Sequence, residues 1–396
     1  MKFKDFIAQK GENHAAIDKF RAWRLWGQHR VIFGKIKIIH IVGTNGKGST
    51  GRFIAQILQA MKFKVGHFSS PHIFEFNERF WLDGEILKDS TLERAHCSLA
   101  RLIKDDLQSL SYFEYAAFLA ALAFRNCDFI VFEAGLGGEY DATSVFEKKL
   151  SVFTPIDYDH TQILGENLLD IARTKLKVMG AKALISGNQD EKVLNLARKI
   201  ALLKNATFYE CDKMELLNEA NLAKAYKSYV KKQKLPNFLQ ENLKTALCAI
   251  NLLDDLPNLQ RNLLKAIKKL PPLDLRGRCE QISPNIFIDV GHNEMAAKAL
   301  AQHFAGRKFV VIYNCFLDKN FLHILRNLKP LIAKIALYVY PSQRKLATQQ
   351  IKAAAKALDI ECEDFKGIAK GENYLVFGSF VLVENFLRDY DKATKI

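Results

Sequence analysis

The residues best suited to chemistry form a glycine-rich run, Gly43-Thr44-Asn45-Gly46-Lys47-Gly48-Ser49. An apolar stretch rich in β-branched residues, 36–42, precedes the run and predicts a buried parallel strand. Apolar residues at helical spacing between Phe53 and Met61 follow it and predict a helix. In a strand–loop–helix unit, glycine N–H groups and the helix N-terminus converge on an anion. The run therefore predicts a phosphate-binding loop in which Lys47 supplies a mobile positive charge.

This loop departs from the standard Walker A pattern, which places Ser or Thr directly after the lysine. Here Gly48 follows Lys47, although Ser49 and Thr50 come next and can offer a hydroxyl to a metal-bound phosphate. A glycine-rich turn without a ligand is the alternative interpretation. We disfavour it because strand, glycines, lysine, hydroxyls and helix all occur in the order that phosphate binding requires.

Polar side chains also follow three further predicted strands, at 64–68, 128–132 and 150–156. Ser70, Glu133 and His160 lie at or close beyond the ends of these strands. In open α/β sheets, ligands bind at the carboxyl ends of the strands, so these side chains are candidate metal or phosphate ligands. Two simpler interpretations stay open, because Ser69-Ser70-Pro71 also suits an ordinary turn and His160 also suits a surface turn.

A chain of 396 residues is long enough for two domains. The segment 270–278 contains two prolines and a glycine and interrupts the α/β alternation, so it predicts a linker between domains at 1–275 and 276–396. The second domain is predicted to contain strands at 286–288, 309–313, 335–340 and 374–377. Ahead of the first strand, an amphipathic helix is suggested by Ala16, Ile17, Phe20, Trp23 and Leu25.

The net charge is +15, from 58 basic and 43 acidic residues. Because the lysines are spread over the chain and no nucleic-acid-binding signature occurs, this charge favours small anions such as ATP over nucleic acid. No apolar run is long enough to span a bilayer, and the first residues lack a signal-peptide core. The seven cysteines include no Cys-x-x-Cys pair, which indicates reduced thiols in a cytoplasmic protein.

Ten short motifs occur in order along nearly the whole chain. They are Gly43–Ser49, Ser69–His72, Glu78-Arg79, Tyr112–Tyr115, Glu133–Gly138, Asp141–Thr143, Asp159–Thr161, Gly277-Arg278, Asp289–Asn293 and Gly378–Phe380. Together they resemble the folylpolyglutamate synthases, more closely the bacterial bifunctional dihydrofolate synthase/folylpolyglutamate synthase family within the Mur ligase superfamily. The resemblance implies an α/β fold. A P-loop Mur-ligase-type central domain with a mostly parallel sheet would precede a smaller Rossmann-like α/β C-terminal domain.

The resemblance also implies an ATP-dependent amide ligase. Such an enzyme adds L-glutamate to dihydropteroate and to reduced folates through an acyl phosphate, and it releases ADP and phosphate. Residues 1–275 would form the ATP-binding ligase domain and residues 276–396 the glutamate-ligase domain. The implied cofactors are ATP and two Mg²⁺ ions. A cytoplasmic monomer without nucleic-acid or membrane partners is expected.

Carried over residue by residue, the family pattern assigns four sets of residues. ATP would be bound by Thr44, Asn45, Gly46, Lys47, Gly48, Ser49, Asn242, Arg278, Asp289 and His292. Magnesium would be bound by Ser49, Ser70, Glu133, His160 and Lys175. Dihydropteroate would contact Ser111, Tyr112, Phe113, Glu114, Tyr140, Asp141 and Ala142. The catalytic residues would be Lys47, Glu133, His160 and Lys175.

The assignment of Lys175 includes a chemical modification. In the family, a lysine at this spacing after the Asp-His-Thr motif is carbamylated by CO₂ and binds magnesium. Lys175 follows His160 by the same spacing, and a carbamate would add an anionic oxygen ligand where Glu133 is the other carboxylate expected at the site. An ordinary surface lysine is the alternative, and Lys177 is a rival position.

The chain departs from the family pattern at several positions. Glu139 stands where Arg is common, which would disfavour the anionic tail of longer folates, and Ser144 and Glu294 replace a common Asn and Pro. The region around Asn242 also lacks the usual alanine-rich run. These departures affect the predicted pterin contacts more than the ATP chemistry.

Two other functions compete with the main prediction. A Mur-type ligase acting on peptidoglycan precursors is disfavoured because only about 35 residues precede the first strand, too few for a further domain, and because of the motif 112–115. A P-loop nucleotide switch without ligase chemistry is disfavoured because the C-terminal domain carries Asp289 and His292, which a simple switch would not need.

Overall fold

The structure is a computed structural model that describes residues 2–11, 18–30, 37–254 and 256–394. The chain divides into two compact units. The first comprises Met1–Leu235 and Leu239–Asp274, and the second comprises Pro236–Phe238 and Leu275–Ile396. Within the described ranges, no helix combines the length and the apolar character needed to cross a membrane.

The first unit is built on a sheet of eight strands in the described residues, and the strands are mostly parallel. In chain order they are β1 (Ile38–Val42), β2 (Val65–Phe68), β3 (Phe80–Leu82), β4 (Glu85–Ile86), β5 (Phe129–Glu133), β6 (Lys148–Phe153), β7 (Lys182–Ile185) and β8 (Thr207–Glu210). Their spatial order is β4-β3-β2-β5-β1-β6-β7-β8. β1 therefore lies inside the sheet, between β5 and β6, and its residues are all buried.

Helices cover both faces of this sheet. They are α1 (Phe3–Lys10), α2 (Arg21–His29), α3 (Lys47–Ala60), α4 (Asp89–Ile103), α5 (Asp106–Ser109), α6 (Tyr112–Ala123), α7 (Thr161–Leu164), α8 (Leu168–Leu176), α9 (Glu191–Leu203), α10 (Ala220–Gln233), α11 (Asn237–Asn251) and α12 (Leu259–Lys268). Ile39 of β1 packs in one core cluster with Phe53 of α3, and Ile38 packs in another with Phe118 of α6. Burial on both faces explains why four of the five residues of β1 are apolar, with His40 as the exception.

The second unit contains a sheet of six strands among the residues that the structure describes, with spatial order β13-β12-β11-β14-β10-β9. The strands are β9 (Glu280–Ser283), β10 (Ile286–Asp289), β11 (Phe309–Tyr313), β12 (Ile332–Leu337), β13 (Cys362–Asp364) and β14 (Tyr374–Phe377), and all but β9 run parallel. The helices are α13 (Glu294–His303), α14 (Phe321–Leu328), α15 (Thr348–Ala357) and α16 (Phe380–Thr394). The predicted α/β class with mostly parallel sheets is thereby confirmed.

Several predicted boundaries need correction. The strand predicted at 335–340 runs from Ile332 to Leu337, where its pairing with β13 also ends. The strand predicted at 150–156 ends at Phe153, because the backbone of Pro155 turns to meet the glycine-rich loop. The first strand begins at Ile38 in the structure, while Ile36 lies outside the described residues. Of the predicted N-terminal helix, Trp23 and Leu25 lie in α2, Phe20 precedes it, and Ala16 and Ile17 lie outside the described residues.

Candidate active site

The glycine-rich loop joins β1 to α3, as the sequence predicts. Gly46 has a φ of 81°, in the left-handed region that favours glycine. A Cβ atom at Gly46 would lie 2.6 Å from Oδ1 of Asn242, so a side chain there would force Asn242 to shift. Asn242 in α11 therefore lies directly against the loop, nearly 200 residues away in sequence. The structure thus brings these two predicted ATP-binding residues together.

The start of the loop is fixed by the segment after β6. The backbone N–H groups of Thr44 and Asn45 donate to the carbonyl of Pro155, at 2.9 and 3.3 Å. The Thr44 hydroxyl donates to the Asp157 carbonyl at 2.9 Å and accepts from the Asp157 N–H at 3.0 Å. The hydroxyl of Thr44 thus holds the loop to the neighbouring segment, and its predicted role in phosphate binding stays a prediction.

Lys47 and Glu133 meet beside the loop. Nζ of Lys47 donates to the carbonyls of Gly43 and Thr44, at 3.3 and 3.2 Å, and lies 4.0 Å from Oε1 of Glu133. Oε2 of Glu133 accepts the backbone N–H of Ser70 at 3.1 Å. The rule that polar residues gather at parallel strand ends therefore holds for Ser70 and Glu133. The side chain of Lys47 is largely covered, with 16% of its surface exposed.

Lys175 also reaches this loop. It lies in α8, is buried, and donates from Nζ to the Gly43 carbonyl at 2.9 Å. Burial, and secondarily the charge of Lys47, lower the pKa of Lys175 to about 7. The rival Lys177 instead pairs with Glu139, with Nζ at 3.1 and 2.9 Å from its carboxylate oxygens. Lys175 is thus the lysine of this pair that contacts the loop.

Few of the predicted metal ligands contact one another in the structure. Ser49 is buried in the first turn of α3, and Ser70 and Glu133 are in contact. His160 is exposed, has a φ of 50°, and lies with Nε2 3.9 Å from Oδ2 of Asp159. The described residues contain no group of three or more His, Cys, Asp or Glu side chains suited to a metal. One carboxylate with hydroxyl oxygens nevertheless fits Mg²⁺, which commonly takes its remaining ligands from phosphate and water.

The segment predicted to bind dihydropteroate begins α6. Ser111 caps this helix by accepting the Glu114 N–H at 3.3 Å, and Glu114 accepts the Ser111 N–H at 2.7 Å. Nε of Arg21 also donates to Glu114 at 2.8 Å, which attaches α2 to this end of α6. Phe113 packs against Gly135, two residues beyond the end of β5, since a Cβ atom at Gly135 would lie 2.6 Å from the Phe113 ring. Tyr112 has its ring 5.4 Å from that of Phe76.

The second predicted substrate segment is folded onto the same turn. Oδ2 of the buried Asp141 accepts the backbone N–H groups of Gly135 and Leu136, at 2.9 and 3.0 Å. Ala142 is also buried, whereas Tyr140 is 40% exposed and its ring lies 5.7 Å from that of Phe20. The two segments therefore approach each other at the turn that follows Glu133.

In the second unit, three predicted nucleotide-binding residues gather at the end of β10. Asp289 is buried there and accepts the N–H groups of Cys279 and Gly291, at 2.8 and 2.7 Å. Burial raises the pKa of Asp289, and these hydrogen bonds and Arg278 act against that rise. The guanidinium of Arg278 lies 5.1 Å from the ring centre of Phe380. Nδ1 of His292 lies 3.2 Å from the Val290 carbonyl oxygen.

Two residues that hold the predicted substrate segments were not predicted from the sequence, Arg21 and His40. No sequence feature indicates the role of Arg21, because one arginine at the start of a short helix is common. His40 has such a feature, since it is a histidine in the middle of an apolar strand, and it is fully buried in the structure. A buried polar group needs a partner, so a partner for His40 was predictable although its identity was not.

Comparison with known proteins identifies the family. Residues 41–253 match the Mur ligase middle domain. The dihydrofolate synthase/folylpolyglutamate synthase of Haemophilus influenzae is 29% identical, and the alignment covers 88% of each chain. The crystal structure of Helicobacter pylori folylpolyglutamate synthetase is 40% identical, covers 98% of each chain and has a TM-score of 0.77.

A bifunctional folylpolyglutamate synthase/dihydrofolate synthase of Yersinia pestis, complexed with AMPPNP and Mn ion, is 22% identical. It covers 99% of this chain and 98% of its own, with a TM-score of 0.81, so it shares the fold. These comparisons confirm the predicted family and its P-loop Mur-ligase-type fold. The chain belongs to the folylpolyglutamate synthase family and contains the Mur ligase middle domain.

Proposed function

We propose that the chain is an ATP-dependent ligase that joins L-glutamate to dihydropteroate and to reduced folates, with release of ADP and phosphate. One observation carries this proposal: Lys47, Glu133 and Lys175 converge on the glycine-rich loop of a chain that is 40% identical to a folylpolyglutamate synthetase. The name of the Haemophilus influenzae relative adds dihydrofolate synthase activity, which is first-glutamate addition. Cytoplasmic location and a monomeric state remain predictions from the sequence.

The chemistry must convert a poor electrophile into a good one. A carboxylate is anionic and lacks a leaving group, so an amine does not attack it at neutral pH. Attack of the pterin-linked carboxylate on the γ-phosphate of ATP gives an acyl phosphate and ADP. The amine of L-glutamate then adds to the acyl carbon, and the resulting tetrahedral intermediate expels phosphate. Lys47 would neutralise the charge that spreads over the transferring phosphoryl group.

A divalent ion would be held by Glu133 with the hydroxyls of Ser49 and Ser70. When bound, such an ion offsets the charge of the triphosphate. The Yersinia pestis relative was solved with AMPPNP and manganese, which supports ATP and a divalent metal here. His160 and a carbamylated Lys175 complete the ligand set that we propose.

Glu139 bears on the preference for folate chain length. The sequence predicts that a carboxylate at this position disfavours the anionic tail of longer folates. Its ion pair with Lys177, at 2.9 Å, offsets part of that negative charge. We therefore propose that Glu139 limits chain extension only weakly.

The proposed function predicts a specific dependence of ADP release on substrates. Purified enzyme with ATP and Mg²⁺ is incubated with dihydropteroate or with tetrahydrofolate, each with and without L-glutamate. We expect glutamate-dependent ADP release with both pterins. Absence of such release with either pterin contradicts the proposed function, and release with tetrahydrofolate alone contradicts the dual activity. Activity on a peptidoglycan precursor instead would favour the Mur-type alternative.

Asp289→Ala is predicted to raise the apparent KM for ATP. The carboxylate holds the N–H groups of Cys279 and Gly291 and so fixes the backbone around Arg278 and His292. Loss of two charge-assisted hydrogen bonds should weaken ATP binding about tenfold or more. The measurement is initial rate against ATP concentration, with the midpoint of thermal unfolding followed in parallel.

Asp364→Ala is the matched control, because Asp364 is an exposed carboxylate of the same unit. It should leave the ATP dependence unchanged. A wild-type KM for ATP in Asp289→Ala would show that Asp289 does not contribute to nucleotide binding.

A further inference from the structure

A series of side-chain hydrogen bonds connects the middle of β1 to the predicted pterin segment. Nε2 of His40 lies 2.8 Å from Oγ1 of Thr143, and that hydroxyl donates to Oδ1 of Asp141 at 2.5 Å. Asp141 in turn holds the N–H groups of Gly135 and Leu136 through Oδ2. His40, Thr143 and Asp141 are all buried, so water does not replace these bonds.

The direction of each hydrogen bond can be deduced. Asp141 receives four donors, because the Thr143 N–H also donates to Oδ1 at 2.9 Å, so its oxygens act as acceptors. The single hydroxyl proton of Thr143 then points to Asp141, and Oγ1 must accept from His40. His40 therefore carries its proton on Nε2.

The other ring nitrogen agrees with this tautomer. Nδ1 of His40 has no hydrogen-bond partner among the described residues, and the ring is fully buried. A proton on Nδ1 would be buried without an acceptor, which is more costly than a bare lone pair. Burial, followed by the charge of Lys148, holds the pKa of His40 well below its usual range, so the ring is neutral.

We propose that His40 is a positioning residue for pterin binding, which acts through Thr143 to hold Asp141 and thereby the turn at Gly135 and Leu136. The inference rests on the proposed function, because it takes residues 140–142 to contact the pterin. β1 would then position the binding residues for both substrates. It leads into the phosphate-binding loop at Gly43, and its His40 side chain holds the pterin segment.

The test compares four variants. His40→Leu and Thr143→Val each remove one link, His40→Gln keeps an N–H donor near the place of Nε2, and Ser151→Ala is the control. Ser151 suits this purpose because it is a buried polar residue that pairs with His40 in register on β6. For each enzyme we would measure kcat, the KM for dihydropteroate, the KM for ATP and the midpoint of thermal unfolding.

We expect His40→Leu and Thr143→Val to raise the KM for dihydropteroate about tenfold while the KM for ATP changes less than about twofold. His40→Gln should recover most of the wild-type KM for dihydropteroate. Ser151→Ala should lower the unfolding midpoint without changing either KM. A wild-type KM for dihydropteroate in His40→Leu would overturn the proposal. Equal changes in the KM values for dihydropteroate and ATP would also overturn it if Ser151→Ala showed the same changes.

Hydrogen exchange separates this inference from the proposed function. The amides of Gly135 and Leu136 should exchange faster in His40→Leu and Thr143→Val than in the wild type or in Ser151→Ala. If wild-type enzyme releases no glutamate-dependent ADP, the proposed function fails, and this exchange pattern still decides whether His40 holds the turn. Unchanged exchange at both amides would refute the positioning role whatever the substrate is.

Discussion

Lys47→Ala is expected to lower kcat about 1000-fold, which is the scale of removing one charged donor from a phosphoryl-transfer site. Lys47 begins α3, where its ammonium lies beside two loop carbonyls and 4.0 Å from Glu133. Its charge should stabilise the transferring phosphoryl group more than the bound ground state. The loss should therefore be larger in kcat than in the KM for ATP.

The fold should survive this substitution. The polar contacts of Lys47 in the structure are with its own loop and Glu133, and it belongs to none of the apolar core clusters of the described residues. Circular dichroism and the midpoint of thermal unfolding should therefore stay close to the wild type. Lys177→Ala provides a matched lysine control, since the more exposed Lys177 is paired with Glu139. A near-normal rate in Lys47→Ala would show that the glycine-rich loop does not bind the reacting phosphates.

The central part of the fold was predictable because local and tertiary signals agree there. The apolar residues of β1 are buried on both faces, and the glycines that follow allow the tight turn into α3. By contrast, β4 and β13 are two and three residues long at sheet edges, and β4 is exposed. Such strands carry little apolar pattern, so tertiary pairing alone defines them.

The candidate site was predictable in outline but not in its contacts. The strand-end rule placed Ser70 and Glu133 near the loop, and the structure joins them at 3.1 Å. The contact of Asn242 with Gly46 depends on how α11 packs, which no local pattern records. The bonds between the Thr44 hydroxyl and the Asp157 backbone likewise depend on how the segment after β6 packs against the loop, which the motif does not record.

Lys175→Ala is predicted to reduce activity by about 100-fold or more, because it removes a proposed metal ligand. The geometry favours Lys175 over Lys177 as the residue that we propose to be carbamylated. Its amine is buried, donates to the Gly43 carbonyl at 2.9 Å and lies near the charge of Lys47. A permanently charged ammonium at this position would repel both Lys47 and a bound divalent ion. A carbamate would attract both.

The lowered pKa of Lys175 predicts that its carbamylation depends on pH. Carbamylation needs a neutral amine, which attacks CO₂ and loses a proton to give the carbamate. With a pKa of about 7, about half of the amine is neutral at pH 7, compared with about one in 2500 for an ordinary lysine. As pH falls below about 7 the amine becomes protonated, so carbamate formation and activity should both fall.

The modification itself can be observed with carbon-13 bicarbonate. Wild-type enzyme should show one carbamate carbon signal that is absent from Lys175→Ala and present in Lys177→Ala, since Lys177 is engaged with Glu139. Formate or acetate should partly restore the activity of Lys175→Ala, because a small carboxylate can occupy the position of the missing carbamate oxygens. A wild-type rate in Lys175→Ala would show that Lys175 has no catalytic role. An active wild-type enzyme without a carbamate signal would show that Lys175 works as an amine.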